Sequence, residues 1–206
     1  MVAIIDYGVG NLFSLKSSFA AIGEEVLVTK DPEDLKRASH VLLPGVGAFE
    51  DARRKLSESG MEEALLSEVR AGKPMMGICL GMQLRFDESL EFGCHKGLSL
   101  VPGRVVGMQG TIPEELLIPH IGWNALHFKQ KHPLFDGIRE GDCVYFVHSF
   151  YATDCDESLL ATTEYGKELT AAVCRENVMG CQFHPEKSGE VGLAILKNFV
   201  KIGAKA

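Results

Sequence analysis

The chain has 206 residues and a mass of 22.5 kDa, which suits one well-buried α/β domain spanning 1–206 and is short for two. A formal charge of −7 argues against nucleic acid or an anionic membrane surface as partner, and 46% hydrophobic with 24% charged residues is ordinary for a soluble globular protein. No apolar run reaches the ~20 residues of a bilayer span, and Cys79, Cys94, Cys143, Cys155, Cys174 and Cys181 show neither C-x-x-C nor Cys/His ligand spacing. A reducing cytoplasm is therefore expected, with no disulfide framework, metal or cofactor.

Met1 to Asp6 is apolar and lacks the basic flank of a signal peptide, so it reads as a first strand. Leu12, Leu15, Phe19 and Ile22 then share one face of a helix, and Glu25 to Val28 forms a second strand. Asp31-Pro32 is an N-cap followed by proline at the first helical position. The strand Val41 to Leu43 runs into the glycine-rich loop Pro44-Gly45-Val46-Gly47-Ala48-Phe49, whose few side chains leave backbone N–H groups accessible. Such donors suit an oxyanion, although glycines also mark any tight turn. A helix from Met61 to Ala71 ends at Gly72, and a buried strand from Lys73 to Ile78 follows. This alternation predicts a mostly parallel central sheet flanked by helices, with its site at the strands' C-terminal ends.

Gly77-Ile78-Cys79-Leu80-Gly81 places a cysteine between glycines where that strand gives way to a predicted helix at Leu80 to Leu84. It is the cysteine version of the G-x-S-x-G nucleophile elbow, and a helix N-terminus there favours the thiolate. A buried structural cysteine beside two turn glycines fits the same letters. From about Gly97 to Tyr165 shorter apolar pieces predict an additional antiparallel or mixed β region. Thr170 to Cys174 and Val178 to Phe183 form a hairpin that delivers His184-Pro185-Glu186, and a last helix starts near Ser188. In extended backbone Glu186 lies on the same side as His184, so its carboxylate reaches one ring nitrogen and leaves the other free to take a thiol proton. Alone, His184 would read as a surface histidine; with Cys79 it completes a nucleophile, base and orienter.

Together these segments resemble the class I (triad) glutamine amidotransferase family over essentially the whole chain. Ile5 to Leu12, Pro44 to Phe49, Pro119-His120-Ile121-Gly122-Trp123-Asn124, Tyr145 to Phe150 and Gln182 to Gly189 resemble more narrowly the glutaminase subunits of imidazole glycerol phosphate synthases. The resemblance implies that Cys79 attacks the side-chain amide of glutamine, His184 shuttles the proton and Glu186 orients His184. It puts the oxyanion donors at Leu80 and in Gly45-Val46-Gly47, and the glutamine contacts at Gln83 and Glu91. On residues alone, Gln83 is a helix position and Glu91 a solvated charge. Asn11 and Trp123 fall where the family docks on its partner, a separate (β/α)₈-barrel synthase (cyclase) subunit, although Trp123 also suits a core. His120 and His148 read as structural or interface residues, since neither has a nucleophile beside it. Arg85 departs from an aliphatic family position and Phe150 from a tyrosine. A cysteine peptidase or γ-glutamyl hydrolase would use the same elbow without the Pro119–Asn124 and Tyr145–Phe150 segments, and a binding subunit would not need the triad.

Overall fold

A computed structural model describes residues 1–203. The amino-terminal half alternates strand and helix as its periodicity predicts. Strands β1 (Val2–Ile5), β2 (Val26–Thr29), β3 (His40–Leu43) and β4 (Met75–Ile78) are interleaved with α1 (Leu12–Ala21), α2 (Pro32–Arg37), α3 (Phe49–Glu58) and α4 (Met61–Arg70). Asp31 caps α2 by accepting the Glu33 N–H, with Pro32 opening the helix.

The sequence reading misses α3. Its glycine-rich approach suggested only a loop, and most of its face is polar and solvated. Phe49, Ala52 and Leu56 nevertheless recur at helical spacing and are fully buried. The predicted helix after Cys79 is also shorter than its pattern suggests: α5 (Leu80–Gln83) is a single turn. Beyond Leu84 the chain must turn into the β region, so few peptide dipoles align behind Cys79. The thiol therefore sits behind one turn of helix rather than a full macrodipole.

The β region begins at Glu88, ahead of the expected Gly97. It contains β5 (Glu88–Ser89), β6 (His95–Lys96), β7 (Arg104–Gly107), β8 (His120–Ala125), β9 (His127–Phe128), β10 (Cys143–His148) and β11 (Phe150–Thr153). The chain then returns through β12 (Leu159–Glu164), β13 (Glu168–Arg175) and β14 (Val178–Cys181) to the last helix, α6 (Gly189–Lys201). The main sheet has the order β2-β1-β3-β4-β14-β13-β12-β9. Its first five strands are parallel and its last three antiparallel. A four-stranded sheet, β11-β7-β5-β6, and the ribbon β10-β8 stand apart from it. The expected α/β architecture is thus present, with the antiparallel strands shared between the main sheet and these two smaller ones.

Alternation along β1 shows why the parallel strands read as continuous apolar runs. Val2 and Ile4 join Leu15, Phe19, Ile195 and Phe199 on one side, while Ala3 and Ile5 join Leu35, Phe49 and Leu56 on the other. Both faces are therefore packed. Strands β3, β4 and β14 are adjacent, so the segments leaving their C-terminal ends converge: the glycine loop, Cys79 and the approach to His184.

Arg85 is the unusual tenant of this core. It is fully buried and crosses the register pair Gly77–Gly180 of β4 and β14. Its Nη1 donates to the Met179 carbonyl and its Nε to that of Met82, while Nη2 has no acceptor. Among the described residues no carboxylate pairs with it. Burial lowers its proton affinity to about 10, with Cys181 and Cys174 pulling the other way.

Candidate active site

Cys79 sits between β4 and α5 with φ 52° and ψ −114°, a strained conformation for a residue with a side chain. The surroundings hold it there. Its N–H donates to the Cys181 carbonyl at 2.8 Å, and its own carbonyl accepts the N–H groups of Met82 and Gln83 at 2.9 and 3.1 Å. The flanking glycines are steric necessities. A methyl group on Gly81 would overlap the Leu43 carbonyl, and one on Gly45 would stand 2.6 Å from the Gly81 nitrogen. The glycine loop and the elbow therefore meet backbone to backbone.

His184 follows β14 and is clamped through its main chain. Its N–H donates to the Tyr145 carbonyl at 2.9 Å, and its carbonyl accepts the Ser188 hydroxyl at 2.7 Å. Its Nδ1 lies 2.8 Å from Glu186 Oε1, with both side chains almost wholly buried. The contact is made, but not by extended backbone as expected. Strand β14 ends at Cys181, and Pro185–Lys187 forms a 3₁₀ turn that swings Glu186 back. Proline suits the start of such a turn because its φ is already near the helical value.

Burial opposes a charge on His184, yet hydrogen bonds to Cys79 and Glu186 and the charge on both outweigh it, raising its pKa to about 9. Glu186 Oε2 is buried without a partner, so this carboxylate has the imidazolium as its main compensation. A proton held more tightly in the folded chain than in the unfolded one adds stability that is complete below about pH 6.5. That stability is lost as pH rises through about 9. Urea unfolding of wild type and His184→Ala at pH 6 and pH 9.5 should show the gap between them narrowing at the higher pH.

A cavity of about 450 Å³ opens above the sulfur, and Val46, Gly47, Gln83, Glu91 and His184 reach it beside Cys79. As N1 of α5, Leu80 has an N–H with no intrahelical acceptor. The loop opposite is tethered at both ends: the Tyr7 hydroxyl donates to the Pro44 carbonyl at 2.7 Å, and the Phe49 N–H donates to Glu91 Oε2 at 2.8 Å. Burial pushes the Glu91 carboxyl up, against the Phe49 N–H and His95. Gln83 Nε2 donates to the Phe150 carbonyl at 3.0 Å and to Gln182 Oε1 at 2.9 Å. At the mouth Phe92 is almost wholly exposed.

Asn11 and Trp123 do not line this cavity. Asn11 caps α1 by accepting the Ser14 N–H, and Trp123 lies 55% exposed on β8 with its ring edge toward Tyr145. His120 and His148 are both buried, and His148 forms part of the cavity wall, a placement the sequence reading lacked. The reading also missed Gln182, whose Nε2 lies 3.6 Å from Cys79 Sγ. No periodicity marks it, because β14 ends at Cys181 and the chain bends at Gln182 and Phe183 before reaching His184. Among the described residues no cluster of His, Cys, Asp and Glu is arranged to hold a metal ion, and no helix is long and apolar enough to cross a membrane.

Comparison with known proteins adds to this geometry. The family model for glutamine amidotransferase class-I matches residues 3–202. The imidazole glycerol phosphate synthase subunit HisH of Syntrophotalea carbinolica is 49% identical over 203 residues, covering 97% of this chain and 98% of its own length. Its counterpart in Geobacter sulfurreducens is 48% identical over 203 residues, with 96% and 97% covered. Among solved structures, a crystal structure of a glutamine amidotransferase superposes with a TM-score of 0.76 at 18% identity, covering 98% of both chains. A chain of PurLQS from Thermotoga maritima gives 0.72 at 17% identity, covering 98% of this chain and 97% of that one. At these identities the two structures speak for the fold.

Proposed function

The chain belongs to the class-I glutamine amidotransferase family, and from that premise we propose that it is the glutaminase subunit of an imidazole glycerol phosphate synthase in histidine biosynthesis. The observation that carries this reading is near-half identity to HisH subunits over almost the whole chain, combined with Cys79 and His184 on one cavity and Glu186 behind them.

Glutamine enters with its amino-acid end held at Gln83 and Glu91. Cys79 Sγ attacks the side-chain amide carbon while His184 holds the thiol proton, its other nitrogen kept on Glu186. The tetrahedral oxyanion takes N–H donors from Leu80 and from the Gly45-Val46-Gly47 loop. Collapse breaks the carbon–nitrogen bond, His184 returns its proton to the departing nitrogen, and ammonia leaves a γ-glutamyl thioester. Water, deprotonated by His184, then releases glutamate and restores the thiol. Ammonia is neutral and readily lost to water, so a sealed junction with the acceptor enzyme serves it. That acceptor is a separate (β/α)₈-barrel cyclase docked near Asn11 and Trp123, which forms imidazole glycerol phosphate and AICAR in the cytoplasm.

The test is to mix the purified chain with the cyclase subunit, its ribonucleotide substrate and glutamine. Glutamate and imidazole glycerol phosphate should appear in equal amounts. Cleavage of peptides or γ-glutamyl peptides with no glutamine turnover would replace this reading with a hydrolase one.

A further inference from the structure

A continuous line of polar contacts leads to the sulfur from the far wall of the cavity, and the groups along it are not free to choose their orientation. The Phe150 carbonyl can only accept, and it receives His148 Nδ1 at 2.8 Å and Gln83 Nε2 at 3.0 Å. With its nitrogen so committed, Gln83 also donates to Gln182 Oε1 at 2.9 Å. The Gln182 carboxamide is thereby turned with its NH₂ toward Cys79 Sγ, 3.6 Å away. Gln182 is completely buried, as expected of an amide with a fixed orientation.

At the other end the same logic fixes a tautomer. His148 must carry its proton on Nδ1 to serve Phe150, so its Nε2 is an acceptor, and His120 Nδ1 lies 3.1 Å from it. His120 is stacked between Tyr165 and Phe146, with centroids at 4.0 and 5.0 Å, which holds its ring in plane for that bond. Its Nε2 faces Asn124 Oδ1 at 2.8 Å, and Asn124 Nδ2 donates to the Glu164 carbonyl. Burial lowers the proton affinity of both rings. Two neutral rings carry two N–H groups for three contacts, so the single His120 proton serves either His148 Nε2 or Asn124 Oδ1, while the His148 proton stays on Nδ1 toward Phe150.

We propose that His148, Gln83 and Gln182 form a positioning chain that aims a carboxamide N–H at the Cys79 sulfur. An N–H pointed at the sulfur stabilises the thiolate over the thiol, and charged acceptors gain more from such a bond than neutral ones. The proposal rests on Cys79 as nucleophile; beyond that it gives roles to His148 and Gln182, which the triad does not use.

The experiment is alkylation of the full-length chain by iodoacetamide, followed at the Cys79 peptide by mass spectrometry from pH 5 to 10. Gln182→Leu should slow Cys79 at pH 7 about tenfold, with the difference vanishing at high pH where the thiol is ionised in both proteins. His148→Leu should slow it severalfold in the same pH-dependent way. His148→Asn, whose Nδ2 can stand in for Nδ1, should restore most of that loss, whereas His148→Gln should not. In a Gln182→Leu background, His148→Leu should have no further effect. Unchanged Cys79 profiles in Gln182→Leu, or additive losses in the double variant, overturn the proposal. A Cys79→Ala enzyme that still hydrolyses glutamine would instead overturn the assignment of the nucleophile.

Discussion

Replacing Cys79 with alanine is expected to abolish glutamine-dependent synthesis, with hydrolysis of glutamine falling to the limit of detection. Among the groups reaching the cavity Cys79 is the nucleophile that His184 contacts, whereas the Ser149 hydroxyl also lines the wall but makes no hydrogen bond to that base. Synthesis from free ammonium salts should survive in the complex if, as proposed, that step belongs to the partner cyclase. His184→Ala should come close behind, with a loss of roughly 10²–10⁴. Glu186→Gln should retain measurable turnover, since the carboxylate orients and compensates the imidazolium but takes no proton. Release of glutamate measured for the three variants decides the order. Equal losses in His184→Ala and Glu186→Gln, both folded, would mean that the roles are wrongly divided.

The second large effect is activation. The isolated chain should hydrolyse glutamine roughly 10²–10³ times more slowly than the complex with substrate on the synthase, the rate ratio that one oxyanion donor supplies. An unaccompanied glutaminase would release ammonia with nothing to accept it. The loop supplies the means: Gly47 has φ +92° and Val46 is exposed, so the peptide between them can turn without a side chain obstructing it. A resting loop with a carbonyl toward the oxyanion site lacks the donor, and a docked partner that binds the turned form more tightly restores it. Glutamate release by the chain alone and by the substrate-loaded complex gives the ratio directly. Gly47→Ala should reduce it, because alanine resists positive φ. A ratio near one, or one unchanged by Gly47→Ala, rules out the loop as the switch.

Much of the parallel half was legible because its strands are buried on both faces and its helices carry local start and stop signals, such as Asp31-Pro32 and Gly72. The elbow was legible because Gly77, Cys79 and Gly81 are close in sequence and answer to one steric demand. Helix α3 was not, because its apolar positions are few and its start looks like loop. Glu91 shows the general difficulty: it meets Phe49 at a distance of 42 residues, and a lone carboxylate in a loosely patterned stretch gives no sign of such a partner. His148 and Gln182 were hidden in the same way. Their purpose appears only when β10, α5 and β14 are brought together, and hydrogen bonds between distant segments leave no periodicity behind.

The passage of Arg85 across Gly77 and Gly180 sets an order on how this sequence can change. The two glycines face each other in register, but they are bare for different reasons. A side chain on Gly77 would strike the Gly81 carbonyl of the elbow whatever occupies position 85, whereas on Gly180 the obstacle is the guanidinium of Arg85 itself. Exchange of Arg85 for an aliphatic residue would therefore remove the atoms nearest a Cβ at 180 and leave Gly77 bound. An alanine at 180 acquired first would have to displace a buried cation from its carbonyl acceptors, so of the two routes to an aliphatic core here, the one that begins at Arg85 avoids that clash.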